Sequence, residues 1–428
     1  MKSLLRPLVI VVALLAALVA AGCGSSNSSS SSTSASTGSS SSSNAAPAAG
    51  ALGTPKKATG SPIVFGLLNL ESGPVTFPEY RQAAEAAAQY VNDYKGGIGG
   101  RPIKIVACAT DGQPATSARC ASQIADQKPV AILGGADTGA PGAFAVYKRK
   151  NLAYVGGIPF TPVESNAPNA SIFISISTGD NAAAVKYAAQ SLGVKKASVI
   201  YTDDTQGKFT GLGVIVPAMK KSGITVKAVP VAPNAADLSS VAASAIGGSP
   251  DLVYVNSPNA CPGLLKALKS VGYSGKLMGI DPCSSPPALQ AAGSAAEGLY
   301  FAQPFQSPDS GTPDAKTFLA AVQKYGPKTL ALDSIAEAGF SSVVNLQKQL
   351  DPLGASKLDT GSIEKAFKSA SNAPNFLAHE YTCSGKQIPG ASAVCNAYQL
   401  MKQVKGGKVT TVDGKWITGA DLVVAPKG

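Results

Sequence analysis

Short β-forming runs alternate with helical patterns along almost the whole chain, and this order limits the folds that the chain can adopt. The run PIVFGLL at residues 62–68 predicts a buried strand. Over residues 80–94, small and apolar side chains recur at helical spacing, which predicts a helix with one apolar face. A second strand, RPIKIVAC, follows at residues 101–108. Because parallel strands need a crossover connection, usually a helix, this order predicts an α/β fold with mostly parallel sheets flanked by helices.

The alternation comes in two series, which indicates two lobes. Further strands are predicted at 130–133, 152–155, 197–201, 224–229, 252–256 and 276–280, and helices at 116–126, 142–150, 181–192, 209–221, 238–246 and 262–271. The segment SIFISIST, residues 171–178, lies between the series, and helices predicted at 314–325 and 332–350 return the chain to the first. We expect a hinge and a cleft, with lobe 1 comprising residues 61–177 and 306–378 and lobe 2 residues 178–305 and 379–428.

Residues 1–22 have the organisation of an export signal, with a basic start, an apolar run and small residues at the end. The apolar run of about 14 residues is shorter than the roughly 20 that a membrane-spanning helix needs. Residues 20–23, AAGC, resemble the lipobox of bacterial lipoproteins, in which the cysteine carries a diacylglycerol. The Ser-rich tract that follows is typical of a flexible tether. We therefore expect residues 23–60 to be a linker anchored to the membrane through Cys23; simple secretion with an incidental cysteine is the alternative.

The chain has seven cysteines, so one is left over if the others pair. Export exposes thiols to an oxidising compartment. If Cys23 is acylated, six cysteines remain, and six allow fifteen connectivities. Their order along the chain favours three local bridges, each worth about 3 kcal/mol: Cys108 to Cys120, Cys261 to Cys283, and Cys383 to Cys395. A metal site is the alternative, but no pair has zinc-finger spacing and His379 is the only histidine, so we expect no metal and a structural role for His379.

The charge pattern and the absence of common catalytic motifs argue against several classes of function. The formal net charge is +11, but the basic residues are scattered and only 6% of residues are aromatic, which argues against nucleic-acid binding. The glycine-rich KGGIGG at residues 95–100 follows a helix and precedes a strand, the reverse of a dinucleotide loop, and is interpreted as a turn. The chain has no GxxxxGK[ST], HExxH or GxSxG motif. We therefore expect neither an enzyme nor a cofactor.

The loops that follow the predicted strands are the candidate binding site, because open parallel sheets bind ligands beyond the carboxyl ends of their strands. Small and polar residues dominate these loops. Thr138, beside Asp137, marks a turn from strand to helix that could hold a ligand carboxylate, or it is a plain N-cap or turn residue. Asp281 ends a strand and could pair with a ligand cation, or it is a turn residue before Pro282. Phe77, Phe160 and Phe305 could supply apolar walls or belong to the core.

Three runs carry a family resemblance: IVFGLLNLESGPVTFPEYRQAAEAAAQYVNDYKGGIGGRPIKIV, then VAILGGADTGA, then KKASVIYTDDTQGKFTGLG. They resemble the branched-chain amino-acid (leucine/isoleucine/valine) binding proteins of ABC transporters, which have the two-lobed type I periplasmic-binding-protein fold. The likeness runs from Ile63 to about Phe305 and more weakly through residues 397–409. It implies a monomeric receptor at the outer face of the cell membrane that closes on a small solute and delivers it to an ABC permease without chemistry.

The resemblance also assigns roles to single residues. Thr138 matches the family's hydroxyl that holds the ligand carboxylate, Asp281 falls near the acidic residue that meets the α-ammonium group, and Phe77 lies near the aromatic wall. Two positions depart: Phe160 stands where the family has a hydroxyl, unless Thr161 takes its place, and Gln206 replaces a ligand-covering tyrosine. These departures favour a solute other than a standard branched-chain amino acid. A ligand-sensing receptor on the same fold and a hydrolase of small solutes are the alternative functions.

Overall fold

Two β-sheets organise the computed structural model, which describes residues 50–73 and 75–424. The predicted export signal and Cys23 lie outside the described residues. The first sheet contains β1 (Ile63–Leu70), β2 (Ile103–Thr110), β3 (Ala131–Ile132), β4 (Tyr154–Val155) and β5 (Ala170–Ser171). The second contains β6 (Lys196–Thr202), β7 (Thr225–Val231), β8 (Leu252–Asn256), β9 (Lys276–Gly279), β10 (Tyr300–Gln303), β11 (Tyr398–Lys405) and β12 (Lys408–Thr418).

The first sheet is parallel throughout, in the order β2-β1-β3-β4-β5. Both of its faces are covered, as expected when helices connect every pair of parallel strands. Along β1, Ile63, Phe65 and Leu67 enter one apolar cluster and Leu68 enters another on the opposite face. Lobe 1 is the name used below for this sheet and the helices packed on it.

In the described part of the chain, the helices that pack on the first sheet are α1 (Pro78–Tyr90), α2 (Pro114–Asp126), α3 (Ala140–Arg149), α4 (Pro162–Asn166), α11 (Pro313–Tyr325), α12 (Ser334–Leu350) and α13 (Thr360–Lys368). Helices α1 and α12 approach each other closely at Gly339, where a Cβ atom would lie 2.1 Å from the carbonyl oxygen of Tyr80. Only glycine permits this contact. It brings the N-terminal ends of two helices that are far apart in sequence to the same side of the lobe.

The second sheet, with its helices, forms lobe 2. Its order is β12-β11-β10-β9-β8-β6-β7, parallel from β10 to β7 and antiparallel at β10–β11 and β11–β12. Its helices are α5 (Gly179–Gln190), α6 (Thr205–Thr210), α7 (Val216–Lys221), α8 (Ser239–Ile246), α9 (Cys261–Ser270) and α10 (Pro286–Ala292). The chain crosses between the lobes after β5, after β10 and after α13. The predicted two-lobed α/β architecture is therefore confirmed.

The structure departs from the predicted elements in several places. The helix predicted over residues 209–221 is two helices, α6 and α7, joined by a π-helical turn at Gly211–Ile215. The hairpin of β11 and β12 was not predicted. Tyr381, Cys383 and Cys395 pack into the apolar cluster of lobe 1, so that cluster extends past the boundary predicted at residue 378.

All three predicted disulfide bridges are present, Cys108–Cys120, Cys261–Cys283 and Cys383–Cys395. The first ties β2 to α2, and the second ties the start of α9 to the loop after β9. His379 stacks on Tyr398 with ring centroids 3.9 Å apart, a packing role that agrees with the prediction. Within the part of the chain that the structure describes, no helix has the length and apolar character needed to cross a membrane.

Candidate functional site

A cavity of about 470 Å³ lies between the two lobes, at the carboxyl ends of β1, β8 and β9. This is the edge at which open parallel sheets bind ligands. Lobe 1 contributes residues from the start of α1 and the start of α12, and lobe 2 contributes residues from the loops after β8 and β9. The lining residues are Val75, Thr76, Phe77, Pro78, Glu79, Pro258, Asn259, Asp281, Pro282, Ser284, Ser285, Pro287, Ala288, Ala331, Asp333, Ser334 and Ile335.

Phe77 forms the apolar wall of the cavity on the lobe 1 side. It is the N-cap residue of α1, and its backbone N–H donates to the carbonyl of Leu70 at 2.8 Å. The buried Asn69 side chain donates to the Phe77 carbonyl at 2.7 Å and accepts from the Ala136 N–H at 3.2 Å, which ties two loops of lobe 1 together. Phe160 stacks on Phe77 with ring centroids 5.5 Å apart and supports it from behind. Phe77 therefore lies in the cavity wall, and Phe160 contacts the cavity only through Phe77 among the described lining residues.

Asp281 forms the opposite side of the cavity and already has several partners. It begins a 3-10 turn directly after β9, and its carboxylate accepts hydrogen bonds from Ser284, Gln303 and, across the cleft, Ser334 of lobe 1. Burial raises the pKa of Asp281, and these three hydrogen bonds oppose the rise. Because Ser334 is the first residue of α12, the Asp281–Ser334 contact joins the two lobes directly.

Two further carboxylates border the cavity from lobe 1, Glu79 in the first turn of α1 and Asp333 at the N-cap of α12. Burial and the nearby Asp333 charge raise the pKa of Glu79 to about 7. Burial, with repulsion from Asp281, raises the pKa of Asp333 to about 6. One Asp333 oxygen accepts hydrogen bonds from the N–H groups of Ile335 and Ala336 at 3.1 Å each. These two N–H groups at the start of α12 therefore have hydrogen-bond partners.

Thr138 and Asp137 lie outside the cavity lining. Thr138 is exposed, and its hydroxyl donates to the Gly112 carbonyl at 3.3 Å. Asp137 is buried, and its Oδ1 accepts from the Thr110 hydroxyl at 2.7 Å and from the Gly139 N–H at 3.2 Å. The N-cap of α3 is Gly139, so Thr138 is not the capping residue of that helix. The two residues shape the loop after β3 and are not among the described residues that line the cavity.

Thr161 and Gln206 also lie outside the lining. Thr161 is the N-cap of α4, and its backbone N–H donates to Glu164 Oε2 at 2.7 Å. Gln206 lies in the first turn of α6, where its carbonyl accepts from the Thr210 hydroxyl at 3.0 Å. Of the predicted binding residues, Phe77 and Asp281 therefore border the cavity, and Phe160 supports Phe77.

A small internal space lies behind these loops of lobe 1, bordered by Asp137, Tyr147, Tyr154 and Glu164. Glu164 is 1% exposed, and burial raises the pKa of its carboxyl group to about 8. Repulsion from Asp137 contributes to the rise, while the hydrogen bonds from Thr161 oppose it. Burial thus favours the protonated form of Glu164.

Sequence reasoning missed Glu79, Asp333 and Ser334. The signal for Asp333 was present, because an aspartate followed by a serine and an apolar helical pattern is a typical helix start. The prediction instead began that helix at residue 332, which placed Asp333 inside it. No local signal marks Glu79, because an acidic residue in the first turn of a helix is common on any surface.

A two-lobed α/β fold with a cavity between the lobes defines a class of solute-binding proteins. The lining residues that the structure describes offer carboxylates and hydroxyls and include no histidine or cysteine. The family model described as "Periplasmic binding protein" matches residues 62–395. The chain belongs to this family. A comparison with curated proteins gives no match.

Solved structures of the same fold are numerous. A leucine-binding protein LivK from Thermotoga maritima is 18% identical with a TM-score of 0.68, covering 84% of this chain and 99% of its own. The branched-chain amino-acid transporter substrate-binding protein LivJ from Streptococcus pneumoniae, in complex with isoleucine, is 17% identical with a TM-score of 0.66 and the same coverages. A fatty acid ABC transporter substrate-binding protein from Thermomonospora curvata is 19% identical with a TM-score of 0.69, covering 87% of this chain and 98% of its own. At these identities the likeness establishes the type I periplasmic-binding-protein fold.

Proposed function

We propose that the protein is the extracytoplasmic solute-binding component of an ABC transporter and captures a small organic solute, amino-acid-like or related, between its lobes. The observation that carries the proposal is the cavity bordered by Phe77 of lobe 1 and Asp281 of lobe 2. A volume of about 470 Å³ suits a small organic molecule. The structural neighbours, which are named as a leucine-binding protein and as substrate-binding proteins of branched-chain amino-acid and fatty acid transporters, support the class of function and leave the solute open.

Closure of the lobes on the solute is the proposed working step. The Asp281–Ser334 contact links the loop after β9 to α12, and three crossing segments connect the lobes elsewhere. A solute held between Phe77 and the loop after β9 would add contacts to both lobes and favour the closed arrangement. The closed receptor then presents one defined surface to a permease, and no bond of the solute is broken.

The solute screen is the direct test of this function. Binding to the folded state raises the melting temperature by mass action, so amino acids, amines, short amides, aromatic acids and polyols can be compared by thermal shift. We expect at least one small solute to raise the melting temperature in proportion to the logarithm of its concentration. Absence of stabilisation by every class would contradict a solute-binding function.

Phe77→Ala is expected to weaken binding of the solute found in that screen about tenfold, because the variant removes an aromatic side chain from the cavity wall. Isothermal titration calorimetry measures the change. Tyr300→Ala, a half-buried aromatic residue of lobe 2 outside the cavity lining, is the matched control. Thr138→Ala is expected to change the affinity less than twofold, because Thr138 lies outside the lining. A larger loss at Thr138 than at Phe77 would place the solute elsewhere.

We further propose that Cys23 carries a lipid that anchors the receptor to the outer face of the membrane, with residues 24–60 as the tether. The cysteine follows a short apolar run and small residues, as a lipoprotein cysteine does. Metabolic labelling with a fatty acid in an expressing bacterium should label the protein and not the Cys23→Ala variant. Labelling that persists in the variant would refute the anchor and leave the solute-binding function untouched.

A further inference from the structure

We propose that the solute carries a net positive charge, as an amine or guanidine on an apolar body, and that Glu79 and Asp333 hold its cationic group. The inference rests on the proposed function, because it names the class of solute for the same cavity. It assigns the cation to two residues of lobe 1 and not to Asp281.

The charge of the cavity lining is the first argument. Among the described residues of the lining, Glu79, Asp281 and Asp333 carry the charged side chains, and none is lysine, arginine or histidine. Arg81, one turn along α1 from the cavity, is held by Glu71 at 2.6 Å and by Glu85 at 3.1 Å. A cleft with charge of one sign and low-dielectric walls concentrates ligands of the opposite sign.

The partners of each carboxylate are the second argument. Asp281 accepts hydrogen bonds from Ser284, Gln303 and Ser334. Glu79, by contrast, receives within the described residues only a hydrogen bond from its own backbone N–H. Oδ1 of Asp333 accepts hydrogen bonds from the N–H groups at the start of α12, whereas Oδ2 of Asp333 accepts no hydrogen bond from the described residues. Glu79 and Asp333 therefore retain acceptor capacity that a cationic group would use.

The positions available to a ligand carboxylate are the third argument. The N–H groups of Ile335 and Ala336 at the start of α12 would be an anion site, but Asp333 already occupies them. Thr138, the hydroxyl that the family resemblance assigns to a carboxylate, lies outside the cavity. The described residues of the lining thus offer acceptors for a cation, while the N–H groups at the start of α12 are already taken by Asp333.

The remaining wall indicates the body of the solute. Val75, Phe77 and Ile335 line the cavity from lobe 1, and prolines at residues 258, 282 and 287 line it from lobe 2. An alkyl or aryl group fits such a surface, and the Phe77 ring can also face a cation. The complementary solute is a cation at one end and apolar at the other.

The charged groups around the two carboxylates give the expected pH dependence. Glu79 is repelled by the charges of Asp333 and Glu71, and Asp333 is repelled by the charge of Asp281. The positive charge of Lys402 interacts favourably with Asp281 and with the buried Glu337. Without solute, the pKa of Glu79 is raised to about 7 and that of Asp333 to about 6. A bound cation favours the ionised carboxylates, so its affinity should rise as the pH increases from 5.5 to 8 and its binding should release protons.

Three matched sets of compounds test the inference on the full-length protein. The compounds of a set share one side chain, and the first of them lacks a carboxylate: 3-methylbutylamine, leucine and 4-methylpentanoate; phenethylamine, phenylalanine and 3-phenylpropionate; agmatine, arginine and 5-guanidinopentanoate. At pH 8 each of the first two sets holds a cation, a zwitterion and an anion, and the third holds a dication, a cation and a zwitterion. We expect the compound without a carboxylate in at least one set to bind at least tenfold more tightly than its matched compounds at pH 8 by calorimetry. Glu79→Gln and Asp333→Asn should each weaken that binding about tenfold, whereas Glu85→Gln, on the same helix but outside the lining, should not.

The outcomes separate this inference from the proposed function. If in every set a compound that bears a carboxylate binds as tightly as the matched compound without one, or more tightly, the solute is not selected for positive charge and the inference is wrong, while solute binding stands. Cation binding that Glu79→Gln and Asp333→Asn leave unchanged also overturns the inference, because it places the charge elsewhere. If no compound of these sets or of the wider solute screen binds, the proposed function fails with it.

Discussion

Replacing Glu164 with glutamine should stabilise the protein at pH 8 by about 4 kcal/mol and leave its stability near pH 4.5 almost unchanged. Burial raises the pKa of Glu164 from 4.5 in an unperturbed carboxyl to about 8 in the folded protein. The folded state therefore binds a proton that the unfolded state releases between these values. A group with a raised pKa contributes stability that is fully present below the unfolded value and is lost as the pH rises through the folded value. Glutamine cannot ionise, so the Glu164→Gln variant does not lose stability in this way as the pH rises.

Urea unfolding of the wild type and of Glu164→Gln at several pH values between 4.5 and 8 measures the difference. Glutamine keeps an oxygen that can accept from the Thr161 N–H, so the start of α4 is preserved. Glu380→Gln, at an exposed position, is the control for the chemical change itself. A Glu164→Gln effect of constant size across the pH range would show that Glu164 does not titrate in this window.

Removing the Cys261–Cys283 bridge by a double serine substitution is expected to lower the free energy of unfolding by about 3 kcal/mol, from loop-closure entropy. The variant should also weaken solute binding several-fold. The bridge fixes the loop after β9 to the start of α9, and this loop carries Asp281 and part of the cavity wall. Thermal unfolding and calorimetric titration measure the two effects separately.

The Cys108–Cys120 bridge supplies a matched control. It closes a loop between β2 and α2, and neither cysteine lines the cavity. Its double serine variant should lose a similar amount of stability, about 3 kcal/mol, and keep the solute affinity of the wild type. Equal losses of affinity in both variants would show that general destabilisation, rather than the position of the loop after β9, weakens binding.

The α/β architecture could be predicted because its helices and parallel strands have apolar periodicities that differ. Strands such as LVYVN at Leu252–Asn256 are buried along their whole length and appear as continuous apolar runs. The β11–β12 hairpin was missed partly because Lys402 interrupts the apolar pattern of β11. This lysine is fully buried, and its Nζ donates to Ser307 at 2.6 Å and to Thr411 at 3.0 Å. Sequence pattern alone places a lysine at the surface, and only tertiary partners explain its burial.

The part of the binding site that follows strands could be predicted from the sequence, and the part at the helix starts could not. Phe77 and Asp281 follow strands, so the rule for parallel sheets places them at the ligand edge. Glu79 and Asp333 instead lie at the starts of two helices, α1 and α12, which meet through the close contact at Gly339. That contact joins distant parts of the chain, and no spacing within the sequence reveals it. The acidic character of the cleft therefore required the packed structure.

The repeated crossing of the chain between the lobes has a consequence for biogenesis. A polypeptide threaded across a membrane from its N-terminus would deliver the first sheet early but α11, α12 and α13 much later, and β11 and β12 last of all. Each lobe would lack part of its core until nearly the whole chain had emerged. The polypeptide should thus stay loosely structured during translocation and then complete both lobes together, at a rate set by contacts between distant segments.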